Sequence, residues 1–162
     1  MLKAKNPIKK KSIVLVHGVF DDAVFKTFKK GEQYFVLEGR PDLAASKGTI
    51  KALAAKKILP TVIADNMAGF LFYNGLVKEV RLSYQYHDAS GALCDIGAVI
   101  VGVLGKTHGV PVRIYPGKLR KRFLAPQEEL LTFNGRAVAP AGTRVYGPLV
   151  EWLSNEYITQ RN

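Results

Sequence analysis

The chain has 162 residues, 48% of them hydrophobic and 23% charged, with a formal net charge of +11 at pH 7. This length suits one domain with a sizeable core, and the composition excludes disorder for the body of the chain. The longest apolar run, Ile96 to Leu104, is less than half of the ~20 residues that cross a bilayer, and Ser12–Val16 is too short for a signal-peptide core. A lone cysteine, Cys94, excludes an internal disulfide framework and suits a reducing cytoplasm. A cytoplasmic protein without membrane contact is expected.

Short apolar strands alternate with helical stretches along the chain. Residues 1–11 form a basic tail carrying Lys3, Lys5, Lys9, Lys10 and Lys11, and 12–162 read as a single domain. Ser12–His17 is a β-branched run ending in Gly18, short enough to favour a strand. Asp21 and Asp22 offer caps to a helix over Ala23–Lys30. Gln33–Leu37 predicts a second strand, closed by Gly39-Arg40-Pro41, and a helix capped by Asp42 or Ser46 runs on to about Lys57. Thr61–Ala64 is a third strand entering Asp65-Asn66, followed by a short apolar helix over Met67–Tyr73. Glu79–Ser83 is a fourth strand, Asp95–Lys106 a buried helix, and Val110–Tyr115 a fifth strand after His108-Gly109. Gly117 to Pro140 lacks periodicity. Short strands are expected at Val138–Pro140 and Thr143–Tyr146 around an Ala141-Gly142 turn, then a terminal helix over Leu149–Thr159. The alternation implies right-handed βαβ units, a mainly parallel sheet and helices on both faces.

A field of +11 attracts phosphate esters, nucleic acid or acidic partners. The N-terminal lysines read as a solvated tail. Lys118, Arg120, Lys121 and Arg122 follow Pro116-Gly117 and stand either on a solvated loop or at the carboxyl edge of a strand, where ligands bind in α/β sheets. Nucleic acid is disfavoured, because neither an aromatic platform nor zinc spacing accompanies the charge.

Several motifs carry a family likeness. A strand running into Gly39-Arg40-Pro41 precedes Pro60-Thr61-Val62-Ile63-Ala64-Asp65-Asn66-Met67-Ala68. Asp95-Ile96-Gly97 leads to Lys106-Thr107-His108-Gly109-Val110-Pro111, and the end reads Val138-Ala139-Pro140-Ala141-Gly142-Thr143-Arg144-Val145-Tyr146-Gly147-Pro148. In order and spacing, from about Ser12 to the end, these resemble the C-terminal domain of the initiation factor 2B and methylthioribose-1-phosphate isomerase family. The resemblance implies a three-layer Rossmann-like domain of the ribose-phosphate isomerase and coenzyme A transferase type, without the family's N-terminal helical domain. It also implies pairing of copies through this domain. Leu149, Val150, Trp152 and Leu153 on the expected terminal helix are the residues for a homodimer contact.

Carried over by position, the resemblance puts Gly18 where the isomerases have a catalytic cysteine and Tyr84 where they have a catalytic aspartate. Cys94-Asp95 replaces an Asn-Lys pair that holds the sugar phosphate, and Ala44 replaces a phosphate-side glutamine. Glycine, tyrosine and alanine supply no thiolate, proton-transferring carboxylate or phosphate clamp, and Asp95 would repel the ligand. The expected function is therefore a non-isomerase binding or regulatory domain that recognises a phosphorylated sugar or nucleotide. The alternative is a sugar-phosphate enzyme with a rebuilt site.

Arg40, Asp65, Asn66 and Lys118 are the ligand-binding candidates. Arg40 suits a phosphate or an ion pair with Glu38 or Asp42, and Asp65-Asn66 suits a ligand or a helix cap. For a rebuilt site the catalytic candidates are His17, Asp65, His87, Asp88 and Cys94. His87-Asp88 is either a base with its orienting carboxylate or a surface turn. Cys94 is either a lowered-pKa thiol at a helix start or a buried inert residue. No cluster has metal-ligand spacing, and no Gly-rich loop has a P-loop or dinucleotide pattern, so neither metal nor cofactor is expected.

Overall fold

All five residues of β1 (Ile13–His17) are buried, the mark of a central strand covered on both faces. The computed structural model that shows this describes residues 8–162. Around β1 lie β2 (Gln33–Leu37), β3 (Thr61–Ile63), β4 (Val77–His87), β6 (Val112–Pro116) and β10 (Gln160–Arg161), in the order β3-β2-β1-β4-β6-β10, all parallel. α1 (Ala44–Ala55) and a 3-10 turn at Asp22–Thr27 cover the face that carries Val14, Val16, Tyr34 and Val36. α2 (Ala68–Tyr73) and α3 (Ala98–His108) cover the opposite face, with Leu15, Leu37, Leu82 and Ile114. The three-layer, mainly parallel expectation holds.

α3 carries Gly102 and Gly105 at a cost of about 1 kcal/mol each relative to alanine, and close approach explains both: a Cβ on Gly102 would stand 2.7 Å from Leu153 Cδ1. A Cβ on Gly105 would stand 2.4 Å from Val112 Cγ2, so the bare backbone lets α3 settle onto β6.

Four local expectations are corrected. The stretch expected as an α-helix over Ala23–Lys30 forms only the 3-10 turn Asp22–Thr27. β4 does not stop at Ser83. It runs eleven residues to His87 and folds back through Asp88–Ser90 into an antiparallel β5 (Gly91–Asp95), so Asp95 ends a strand and the helix starts three residues later. The expected terminal helix is β9 (Val150–Ser154), a 3-10 turn and β10 instead. β9 pairs antiparallel with β5, and the need of the β5 edge for backbone partners outweighs weak local helix preference. No strand forms at 138–140 or 143–146. The regular elements come just before, as α4 (Gln127–Leu131) and a hairpin of β7 (Thr132–Phe133) and β8 (Arg136–Ala137). Asn134 and Gly135 turn that hairpin at φ +51° and +72°, the type I′ pattern for which Asn-Gly is suited.

Candidate functional site

From β1 the chain moves outward through β2 to β3, then returns to β4 on the other side and continues to β6. The reversal leaves a crevice at the carboxyl ends of β1 and β4, where α/β sheets bind ligands. Gly18 follows β1 there, Ser83 lies on β4, Asp95 ends β5, and Arg120 comes from the segment after β6. The Asp95 carboxylate accepts bonds from Val19 N (2.9 Å), Ser83 Oγ (3.1 Å) and Arg120 Nε. The other arm of the Arg120 guanidinium reaches Asp42 at 2.5 Å. Side-chain exposure is 10% for Arg120, 8% for Asp42 and 3% for Asp95, so this is a buried pair of carboxylates sharing one cation. Burial opposes the charge on Arg120, but Asp95 and Asp42 outweigh it and raise its pKa.

Over this floor opens a cleft of about 400 Å³, lined by Val19, Asp42, Ala44 at the start of α1, and residues 118–122. Lys118 donates to Asp22 at 2.8 Å and Arg122 to Glu129 at 2.7 Å, both near the surface. Lys121 is exposed and has no ion pair among the described residues. The arrangement is a floor of two carboxylates sharing one cation, under a basic lip beside the positive end of a helix; the lip and the helix end favour an anion.

A second recess, about 530 Å³, lies on the other face of the sheet between α2 and α3. Leu37, Ile100 and Leu104 give it an apolar wall, with Arg40, Asp65 and Asn66 at its rim. The Asp65 carboxylate accepts from Gly39 N at 2.9 Å and Arg40 N at 2.8 Å, holding the loop after β2. The Arg40 guanidinium lies 4.9 Å over the Phe133 ring. Glu151, also on this recess, accepts from Gly97 N at 2.7 Å and Val99 N at 2.8 Å and so caps α3 from β9.

The structure thus brings Arg40, Asp65 and Asn66 together and puts Lys118 on the other cleft. The remaining candidates stand apart from one another. His17 is buried behind the recess wall, donating from Nε2 to Ile96 O at 2.7 Å, with Nδ1 unpartnered. His87 sets its ring against Tyr84 at 4.8 Å. Asp88 accepts from Ser90 Oγ and Ser90 N at 2.7 Å in the β4–β5 turn, and those bonds lower its pKa. Cys94 sits within β5 and is fully buried. Its thiol is pushed up to about 12, first by burial and then by the Asp95 and Glu151 charges, which corrects the lowered-pKa alternative. Sequence reasoning missed the Arg120–Asp95–Asp42 set and Ser83. The basic cluster flagged Arg120, but nothing in the spacing paired it with carboxylates 25 and 78 residues away.

Comparison with known proteins decides the family. The profile of the Initiation factor 2 subunit family matches residues 3–161. The chain belongs to that family. It is 32% identical over 142 residues to a protein named methylthioribose-1-phosphate isomerase from Syntrophus aciditrophicus, covering 80% of this chain and 39% of that one. A protein of the same name from Fervidobacterium nodosum is 31% identical over 134 residues, covering 75% of this chain and 38% of its own length. The chain therefore spans about two fifths of the length of these curated relatives. Among solved structures, subunit delta of the translation initiation factor eIF-2B from A. fulgidus superposes with a TM-score of 0.75 at 21% identity, over 94% of this chain and 52% of that one. The 5-methylthioribose 1-phosphate isomerase of Pyrococcus horikoshii OT3 superposes at 0.73 and 21% identity, over 94% and 49%. Both share the fold.

Proposed function

We propose that residues 12–162 act as one non-isomerase domain of the Initiation factor 2 subunit family that binds a phosphorylated small molecule, a sugar phosphate or nucleotide, in the basic cleft. The observation that carries this reading is the surroundings of Gly18, the position that the resemblance gives to a catalytic cysteine. A Cβ there would lie 2.0 Å from Ser83 Oγ and 3.0 Å from Asp95 Oδ2 at a φ of +113°. The pocket a nucleophile would need is filled by the Ser83–Asp95 bond. Tyr84, at the aspartate's position, packs against the core beneath α3 rather than beside Gly18. Asp95 bonds the guanidinium that Arg120 shares with Asp42, which weakens its repulsion of an anion relative to a free carboxylate. Lys121 is free to receive phosphate at the lip, with Lys118 and Arg122 beside it in exposed pairs with Asp22 and Glu129.

Titration calorimetry with ribose 5-phosphate, beside a turnover assay on methylthioribose-1-phosphate, tests this. Binding without turnover is expected, weakened by Lys121→Gln. Turnover above buffer would establish the rebuilt enzyme that the isomerase-named relatives favour. Absence of both would remove the ligand from the reading.

The same reading includes self-association in the cytosol. Leu149 and Leu153, expected at a dimer contact, are fully buried in the chain's own core. Trp152, also expected there, is 40% exposed, and four further large exposed apolar residues lie on α2 and α3: Phe70 at 61%, Tyr73 at 84%, Ile100 at 64% and Val103 at 40%. A patch of this kind marks an interface. Its occupant is a second copy, in keeping with the tetrameric eIF2B-beta2-delta2 complex from C. thermophilum, whose chain superposes at a TM-score of 0.59.

A further inference from the structure

The two outer layers of the sheet differ in charge. α2 holds no charged residue, and the one lysine of α3, Lys106, is bonded to Glu156. On the opposite side, α1 and the Asp22–Thr27 turn pack against each other and carry Lys26, Lys47 and Lys51, with Lys29, Lys30 and Lys57 in the segments that follow them, all exposed. Among the described residues none of these six forms an ion pair. Three nearby acids are already engaged: Asp22 by Lys118, Glu32 by Lys78, and Asp42 by Arg120, which leaves Asp21 as the acid next to the turn without an ion pair among the described residues. From Ala44 to Leu59 the sequence has no acidic residue. Lys47 and Lys51 stand one turn apart on the outer side of α1, about 6 Å along its axis.

From this face we propose a docking surface for the phosphate backbone of duplex nucleic acid, separate from the basic cleft. Charge complementarity carries the assignment: six unneutralised cations on one side of the sheet meet the most densely and regularly charged polyanion, with one charge per ~1.7 Å of duplex. The apolar content of the face selects among anions. Between Phe20 and Ile58 no large hydrophobic side chain is exposed, and Leu59, exposed at the edge beside Lys57, is aliphatic and gives unpaired bases no flat ring to stack on. Such a surface contacts phosphates and reads no sequence. The sequence clusters at the N-terminus and at 118–122 did not reveal it, because these lysines are scattered over 32 positions and only the packing of α1 on the 3-10 turn gathers them.

Fluorescence anisotropy of a labelled DNA duplex of about 20 base pairs, titrated with the full chain at about 50–200 mM salt, tests the proposal. Expected is binding whose log K falls with log salt at a slope of about −3 to −5. A Lys47→Gln/Lys51→Gln variant weakens it about tenfold at the lowest salt and flattens the slope by about 2. Lys106→Gln, on the other layer, changes neither. Both positions altered in the double variant are exposed, and an unchanged thermal melt confirms its fold. No duplex binding, or equal binding by wild type and the double variant, overturns the proposal. So does equal affinity for polyglutamate, which would mark an acidic protein partner. Capture by phosphatidylserine vesicles in place of the duplex overturns it as well.

Discussion

At the scale of single residues, the crevice is decided by one missing side chain and one shared cation. Gly18→Ala must place a Cβ where Ser83 Oγ stands and adopt a φ of +113° that L residues rarely hold. Overpacking and backbone strain each cost about 1–3 kcal/mol, so the variant should lose about 2–6 kcal/mol by urea unfolding. An unchanged midpoint would show that the crevice is roomier than its geometry. Arg120→Met leaves two buried carboxylates without their cation and should cost about 3–5 kcal/mol. Lys118→Met removes only an exposed pair and should cost no more than about 1 kcal/mol. Equal losses in the two variants would refute the sharing of Arg120. Cys94 supplies a pH test. Its folded thiol keeps its proton up to about 12, whereas the ordinary value is 9.0, so the folded state binds the proton more tightly. Stability is therefore unaffected by this group below about 9 and falls as pH rises from there toward 12. At neutral pH, thiol reagents should label Cys94 only as fast as the protein unfolds. Rapid labelling of native protein would contradict its burial.

At the scale of elements, the antiparallel extension β4–β5–β9 is what sets the crevice apart from a plain parallel edge. β5 delivers Asp95 beside Gly18, and β9 delivers Glu151 to the first amides of α3. Glu151→Gln keeps an acceptor but removes the charge that favours a helix N-terminus. It should lose about 0.5–1 kcal/mol, with the loss smaller at high salt. Stability rising in that variant would mean the carboxylate is a burden. These two strands were also the least legible part of the chain. Leu149–Thr159 mixes apolar and polar residues in a way that fits a short helix as well as a strand, and only the exposed edge of β5 breaks the tie. The Asn134-Gly135 turn, by contrast, had a readable local signal.

At the scale of the molecule, one side is apolar and the other basic, and the chain's +11 is therefore not uniformly spread. Ile100→Glu puts a carboxylate in the middle of the α2–α3 patch. Sedimentation velocity at tens of micromolar should show wild type as a dimer and this variant as a monomer. A dimer that survives the change, or a monomeric wild type, would move the interface elsewhere.

The amino-acid sequence alone determined the parallel α/β architecture, since runs such as Ile13–His17 and Gln33–Leu37 are apolar on both faces, and a strand apolar on both faces has to be covered twice. It also showed which family positions lack a thiol or a carboxylate, because residue identity needs no coordinates. Tertiary structure alone decided how those positions are used. Arg120 meets Asp42 and Asp95 across 78 and 25 residues of chain, and the packing of α1 on the 3-10 turn brings Lys26 to the same layer as Lys47 and Lys51. Local periodicity reports which side of an element is buried. It carries no information on which distant charge arrives beside it, because that depends on where the sheet order reverses.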